Sequence, residues 1–233
     1  MVKVAGHTHI GKRNNNEDNY FIADNFAIVA DGMGGHNKGE VASEMAVECI
    51  RSQLATLSCI SEKDVINAIN SANLSIYNKA SENNLMQDMG TTIVMCAWHD
   101  NDVVVANVGD SRCYLFSEES CKQITVDHSY VQSLIDSGKI TELEAEKRND
   151  KNIILRAVGC EEKVETDTFK ISVKPGDKIL LCSDGLSGAL STEEMKTIIF
   201  GCNDADEVTN KLVDKACENG GADNITAVVI FFC

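Results

Sequence analysis

Four stretches of this sequence bring an aspartate to the end of an apolar run. Ala27-Ile28-Val29-Ala30 runs into Asp31-Gly32, and Ile179–Cys182 runs into Ser183-Asp184-Gly185. Val103–Val108 runs into Gly109-Asp110, and Asp223 follows Gly220-Gly221-Ala222 just ahead of Ile225–Phe232. Glu17 and Asp18 add two acids before a further short strand. One Asp-Gly pair alone marks a tight turn. Several at the ends of buried strands point further. If those ends converge, the carboxylates share a small volume, repel one another, and need cations to stay ionised. Ligation by oxygen alone, without His or Cys, selects hard ions, Mg²⁺ or Mn²⁺. Glycines let the backbone come close, and the Gly32 carbonyl is itself a candidate ligand. Four to six acids exceed the one or two carboxylates typical of a single Mg²⁺, so more than one ion is expected.

The elements that must position these acids follow from periodicity. Apolar residues recur at helical spacing from Gly39 to about Leu57 (Ala42, Met45, Ala46, Cys49, Ile50, Leu54) and from Glu62 to about Ala80 (Val65, Ile69, Ala72, Ile76). Ser191-Thr192-Glu193-Glu194 is a capping-box start ahead of Met195–Phe200. Asp204–Glu218 carries Val208, Leu212, Val213 and Ala216 on one face and stops at Gly220-Gly221. Strands are predicted at Phe26–Ala30, Thr91–Trp98, Val103–Val108, Cys113–Phe116, Phe169–Val173, Ile179–Cys182 and Ile225–Phe232. Runs this apolar are buried on both faces. The links Asp100–Asp102, Gly109–Arg112 and Lys174–Gly176 have hairpin length, so the strands read as mostly antiparallel and the helices as segregated pairs. That is an α+β chain with sheets packed on each other and helices outside. No linker, repeat or low-complexity segment interrupts residues 1–233, which read as one domain.

Composition excludes several classes. Lys and Arg number 21 against 36 Asp and Glu, a net charge of −15, which argues against nucleic acid or an anionic membrane as partner. Apolar residues at 43% and a single Pro exclude a disordered chain. No apolar stretch reaches the roughly 18 residues of a membrane span, and Met1–His7 lacks the layout of a secretory signal. The ten cysteines lie far apart, mostly in apolar runs such as those around Cys49, Cys96 and Cys182, with no C-x-x-C pair. They read as buried thiols in a reducing cytoplasm.

A set of motifs, in order and over nearly the whole chain, resembles a known family. The stretches are Arg13-Asn14-Asn15-Asn16-Glu17-Asp18, Val29–His36 with Gly39-Glu40, Gly90-Thr91-Thr92, Asn107–Arg112, Thr125–Ser129, Leu155–Gly159, Leu181–Leu186 and Gly221–Thr226. They resemble the metal-dependent serine/threonine protein phosphatases of type 2C, in their compact bacterial form. The resemblance implies a four-layer α-β-β-α sandwich, two antiparallel sheets flanked by helix pairs, with a flap over about 128–155. It implies hydrolysis of phosphoserine and phosphothreonine in proteins by a metal-activated water, without a phosphoenzyme, reversing a bacterial serine/threonine kinase. Asp31 would bridge two Mn²⁺ or Mg²⁺ ions, Gly32 would give its carbonyl to one, and Asp184 and Asp223 would hold the other. Glu17 and Asp18 would act mostly through metal-bound water. Asp110 matches a third-metal ligand shared with Asp184, and Arg13 matches the arginine that grips the substrate phosphate. The expected protein is a cytoplasmic monomer whose partners are phosphorylated proteins and a cognate kinase. These roles suit the reaction, whose uncatalysed rate is so low that the site must supply on the order of 20 kcal/mol. Paired ions lower the pKa of water and screen the phosphoryl oxygens, and a guanidinium fork fits two of those oxygens.

Two departures stand out. Eukaryotic members carry a histidine directly after the Asp-Gly pair, whereas this chain has Met33, whose thioether donates no proton. His36 is nearby but reads as part of the loop entering the helix. The late flap, Lys147–Leu155, is unusual; Lys147, Arg148 and Lys151 could steer an anionic phosphopeptide or form a solvated loop. Other motifs fail on context. Gly6-His7-Thr8-His9-Ile10-Gly11-Lys12 is followed by Arg13 rather than Ser or Thr and opens no apolar helix, so it is no phosphate loop. Gly185-Leu186-Ser187-Gly188 ends on Ala189, so it is no serine-hydrolase elbow. His7, His9 and His99 are too scattered for zinc, and Trp98 reads as core. A degenerate module that binds phosphoprotein without turnover would have lost ligands, and none is lost.

Overall fold

The computed structural model describes residues 2–34, 38–82, 89–145, 148 and 150–233. One sheet contains Val2–His9 (β1), Ile225–Phe232 (β11), Lys178–Cys182 (β10), Arg112–Phe116 (β7) and Cys121–Gln123 (β8), in the order β1-β11-β10-β7-β8. The other contains Asp18–Ile22 (β2), Phe26–Met33 (β3), Ile93–His99 (β5), Asp102–Val108 (β6) and Asp167–Ser172 (β9), in the order β2-β3-β5-β6-β9. Gly90–Thr91 (β4) pairs with the far end of β3. These ladders are antiparallel.

Helices α1 (Lys38–Leu54) and α2 (Glu62–Glu82) cover the second sheet, whereas α5 (Asp184–Ser187), α6 (Thr192–Gly201) and α7 (Ala205–Glu218) cover the first. Four layers need three apolar interfaces, and alternate residues of single strands supply them. On β3, Phe26, Ile28 and Ala30 face the helices while Ala27 and Val29 face the opposite sheet. On β11, Ala227, Val229 and Phe231 face α5–α7 while Val228, Ile230 and Phe232 face across the sandwich. Two buried faces explain why these strands show no polar alternation. Trp98 lies in the inter-sheet layer, edge-on to Phe232 at 6.5 Å.

The helix boundaries meet expectation closely. The Ser191 capping box forms as predicted, with Glu194 reaching back to the cap, and Asp204 caps α7. Helix α1 ends at Leu54 rather than about Leu57. Three readings need correction. Strand β1 went unpredicted because most of its residues are only partly buried and it carries no apolar run. The expected strand Thr91–Trp98 breaks at Thr92, whose backbone N–H and side-chain oxygen both turn to Asp31. Two links of hairpin length are not hairpins. Gly109–Arg112 and Lys174–Gly176 carry the chain from one sheet to the other, β6 to β7 and β9 to β10, and of the three only Asp100–Asp102 joins neighbouring strands. Loop length alone does not tell a turn within a sheet from a step between stacked sheets.

The segment expected to form a flap, about 128–155, contains α3 (Tyr130–Asp136) and α4 (Glu142–Ala145), with Ser129 capping α3. Its two ends meet in a bridge between Ser129 and Ile154. None of the ten cysteines is in a disulfide. Cys96, Cys113, Cys182 and Cys202 are buried as expected, but Cys49 is only partly covered and Cys59, Cys160 and Cys233 are exposed. Burial pushes the Cys182 thiol up to about 12, which makes it inert.

Candidate functional site

The acids predicted from strand ends do converge, at the edge where both sheets stop. Asp18 and Asp31 are direct cross-strand partners in the β2–β3 ladder. Like charges placed opposite one another destabilise a sheet pair, so this register needs a reason beyond folding. Asp184 opens α5 directly beyond β10, Asp110 lies on the step between sheets, and Asp223 precedes β11. The electrostatics record the crowding. Burial lifts the Asp31 carboxyl well above its ordinary range, and Asp18, Asp184, Asp110 and Asp223 each push it further. Burial raises Asp18 to about 7, against the opposing pull of hydrogen bonds from Thr226 and Ser183. Asp110 also rises to about 7, through burial and then Asp184. Asp184 rises through burial and then Asp223, while sharing a hydrogen bond with Asp31. Glu17 is raised by burial.

Arg13 sits at the rim. Its Nη2 donates to Asp223 Oδ2 at 2.6 Å, and that bond holds the guanidinium above its ordinary value. With 54% of its side chain exposed, the fork is open to an incoming anion.

Tight backbone contacts make this geometry possible. A Cβ on Gly32 would stand 2.1 Å from the Gly39 carbonyl oxygen and 2.6 Å from that of Glu17. Gly32 and Gly39 therefore allow the first turn of α1 to touch the Asp31-Gly32 corner. The Gly32 N–H donates to Glu17 O at 3.1 Å, and Ser43 of α1 donates to the same oxygen at 2.6 Å. Asn224 ties three segments together: its Nδ2 donates to Ile10 O and Asn15 O, and its Oδ1 accepts from Glu17 N–H.

Asp110 is placed by a separate clamp. Gly109 adopts φ +109°, a conformation open to glycine, as the chain leaves β6. Its N–H donates to His128 Nδ1 at 3.0 Å, and its carbonyl accepts from His128 N–H at 2.9 Å. His128 Nε2 lies 3.2 Å from Asp167 Oδ2 and 2.9 Å from Arg156 Nη1. Arg156 closes the set on Asp167 Oδ1 at 2.6 Å. Sequence reasoning gave His128 and Arg156 no role beyond motif membership, since their partners lie on other strands. Arg112, from the same motif as Asp110, bonds Asp127 through both Nε and Nη2 and is structural.

Met33 lies in β3 opposite Gly90. His36 and Lys147 lie outside the described residues. Arg148 is paired with Asp150 through two hydrogen bonds, whereas Lys151 and Arg112 both line a cavity of about 690 Å³. That cavity opens between the flap and α5–α6 and is also lined by Asp110 and Asp184.

The donors fit divalent cations. Asp18 Oδ1 and Asp110 Oδ1 are both buried without a hydrogen-bond partner. Buried polar atoms are rarely left so, and a carboxylate oxygen without a donor suits a cation. The donors are oxygens only, the preference of Mg²⁺ and Mn²⁺. Among the described residues no three His, Cys, Asp or Glu side chains are drawn up as a complete ligand set. The acids border a shared space that a backbone carbonyl and water would help fill.

Comparisons with known proteins agree with this geometry. The family profile described as protein phosphatase 2C matches residues 5–216. A serine/threonine phosphatase Stp of Listeria innocua is 39% identical over 228 residues, 94% of this chain and 90% of that protein. The crystal structure of the Mycobacterium tuberculosis serine/threonine phosphatase PstP/Ppp superposes with a TM-score of 0.94 at 32% identity, covering 99% of this chain and 98% of that one. The catalytic domain of PstP solved in complex with two manganese ions gives a TM-score of 0.90 at 32% identity, covering 99% and 97%.

Proposed function

The chain belongs to the protein phosphatase 2C family, and from that membership we propose how its residues remove phosphate from proteins. It is a manganese-dependent serine/threonine protein phosphatase. Asp31, the Gly32 carbonyl, Asp184 and Asp223 would hold two ions, Mn²⁺ or Mg²⁺. Glu17 and Asp18 would support them through water, and Asp110 with Asp184 would take a third. When bound, such ions lower the pKa of water and offset the charge on the phosphoryl oxygens.

The chain's own part is positioning. Arg13 offers its exposed fork to the phosphate while Asp223 keeps it beside the acids. Asp31 and Asp18, fixed by their ladder, set the floor. Two hydroxyls beside the cluster, those of Ser183 and Thr226, both donate to Asp18. They are thus held away from nucleophilic duty, which supports direct attack by water without a phosphoenzyme. Met33 offers no proton to the leaving alcohol.

Phosphoserine and phosphothreonine in proteins are products of serine/threonine kinases, so this enzyme opposes one. The net charge of −15 disfavours polyanionic partners. Among the described residues no helix is long and apolar enough to cross a membrane, and the free thiols suit the cytoplasm, where we place it as a monomer. The reading rests on one observation: five aspartates gathered at one sheet edge, two with buried, partnerless oxygens. It is tested by phosphate release from a phosphothreonine peptide with Mn²⁺, with and without EDTA. Unchanged release by Asp31→Asn or Asp184→Asn would refute it.

A further inference from the structure

Beneath the acid cluster runs a chain of hydroxyl groups that the roles above do not use. Asp18 Oδ2 accepts from Ser183 Oγ at 2.7 Å and from Thr226 Oγ1 at 2.6 Å. Thr226 Oγ1 lies 2.7 Å from Thr8 Oγ1, and Asn16 Nδ2 donates to Thr8 Oγ1 at 3.0 Å. Ser183 Oγ in turn accepts the Thr226 backbone N–H at 3.0 Å. Thr8 and Thr226 are direct partners in the β1–β11 ladder, so two residues of one sheet brace an aspartate of the other.

The directions of these bonds are fixed. A hydroxyl has one proton. With Asp18 ionised, as cation binding requires, it only accepts: Thr226 gives its own proton to Asp18, so the Thr8 proton points at Thr226. Ser183 likewise gives its proton to Asp18 while accepting a backbone N–H. Oδ2 is therefore saturated by two donors from behind. Oδ1 is left buried and without a partner, beside Asp31, its cross-strand neighbour. Free rotation of the carboxyl would exchange the two oxygens; the pair of hydroxyl bonds forbids it.

We propose that Ser183 and Thr226, backed by Thr8 and Asn16, are positioning residues for divalent-ion uptake, holding Asp18 so that Oδ1 alone faces the cations. The proposal builds on the site reading above. Outer-shell partners of this kind are worth about 10–100-fold in metal affinity.

The test is Mn²⁺ uptake measured directly, by calorimetry and by the electron-spin signal of free Mn²⁺, on the full chain. Thr226→Val keeps the shape and removes the hydroxyl; Ser183→Ala removes the other donor; Thr226→Ser keeps the hydroxyl and removes a methyl. About a tenfold weaker uptake is expected in Thr226→Val and Ser183→Ala, with near-normal uptake in Thr226→Ser. Circular dichroism and thermal unfolding of the metal-free proteins check folding. Should Thr226→Val fail to fold, Ser183→Ala, outside the ladder, decides alone. Wild-type uptake in both donor-removing variants would overturn the proposal, as would a Thr226→Ser defect equal to that of Thr226→Val. If the wild-type protein itself takes up no Mn²⁺, the underlying site reading fails instead.

Discussion

The acid edge and the flap are built on opposite plans. At the edge, hydrogen bonds join residues far apart in the chain: Ser183 to Asp18 across 165 positions, Thr226 to Asp18 across 208, and Arg13 to Asp223 across 210. In the flap the side-chain bonds are short-range: Ser129 with Gln132, Gln132 with Asp136, Thr141 with Glu144, Arg148 with Asp150. The edge hides its polar groups, whereas the flap shows apolar ones, with Leu143 70% and Leu155 57% exposed. Groups that act on a bond must be held by the whole fold. A segment held by its own short-range bonds can vary without disturbing them.

That contrast can be broken most sharply at the edge. Asp31→Asn or Asp184→Asn is expected to lower kcat on a phosphopeptide by about a thousandfold or more, with the fold intact by circular dichroism. A loss below tenfold would deny these acids their role. Gly32→Ala forces a methyl into the Gly39 carbonyl and is expected to cost about 3 kcal/mol in urea unfolding, besides activity. Tolerance there would mean that α1 need not touch the acid corner.

The pH dependence comes next in size. The Asp18 and Asp110 carboxyls stand near 7 in the folded protein, and Asp31 is raised too. A group raised on folding favours the folded state while protonated and loses that advantage as pH climbs from its unfolded value through its folded one. The metal-free protein should therefore be less stable at pH 7.5 than at pH 5.5, by roughly 2 kcal/mol or more. His128, lowered by burial, works the other way in the acid range, one group against the five raised carboxyls of the site. Excess Mn²⁺ should remove most of the loss at pH 7.5, because binding stabilises the folded form. Chemical unfolding at both pH values, with and without Mn²⁺, checks the sign. The smallest effect belongs to the flap. Leu143→Ser is expected to raise KM for a phosphoprotein by about fivefold or less, leaving a small phosphate ester and stability unchanged. A matching change on the small ester would tie the flap to the chemistry.

The same contrast governs what could be read without coordinates. The acids were legible because hard-ion chemistry admits few residue types and buried strand ends are easy to see. The four layers were legible from doubly buried strands such as Ile93–His99. The braces were not. Ser183, Thr226, Thr8 and His128 are ordinary residues whose role depends on partners across the sandwich, and no local pattern announces that. The steps at Gly109–Arg112 and Lys174–Gly176 were misread as hairpins for a similar reason, since whether a strand rejoins its own sheet is settled by packing. Strand β1 escaped because it covers an edge and carries mixed polarity.

The pairing of β1 with β11, register Val2 to Phe232, bears on how the protein is made. During synthesis, β2, β3, β5 and β6 leave the ribosome together and can begin to associate early. Strand β1 must wait for its ladder partner β11, residues 225–232, which is made more than two hundred residues later. Asp18 likewise waits for Thr226 and Asp31 for Asp223, so a nascent phosphatase carries an unfinished pocket until residues 223–232 have emerged.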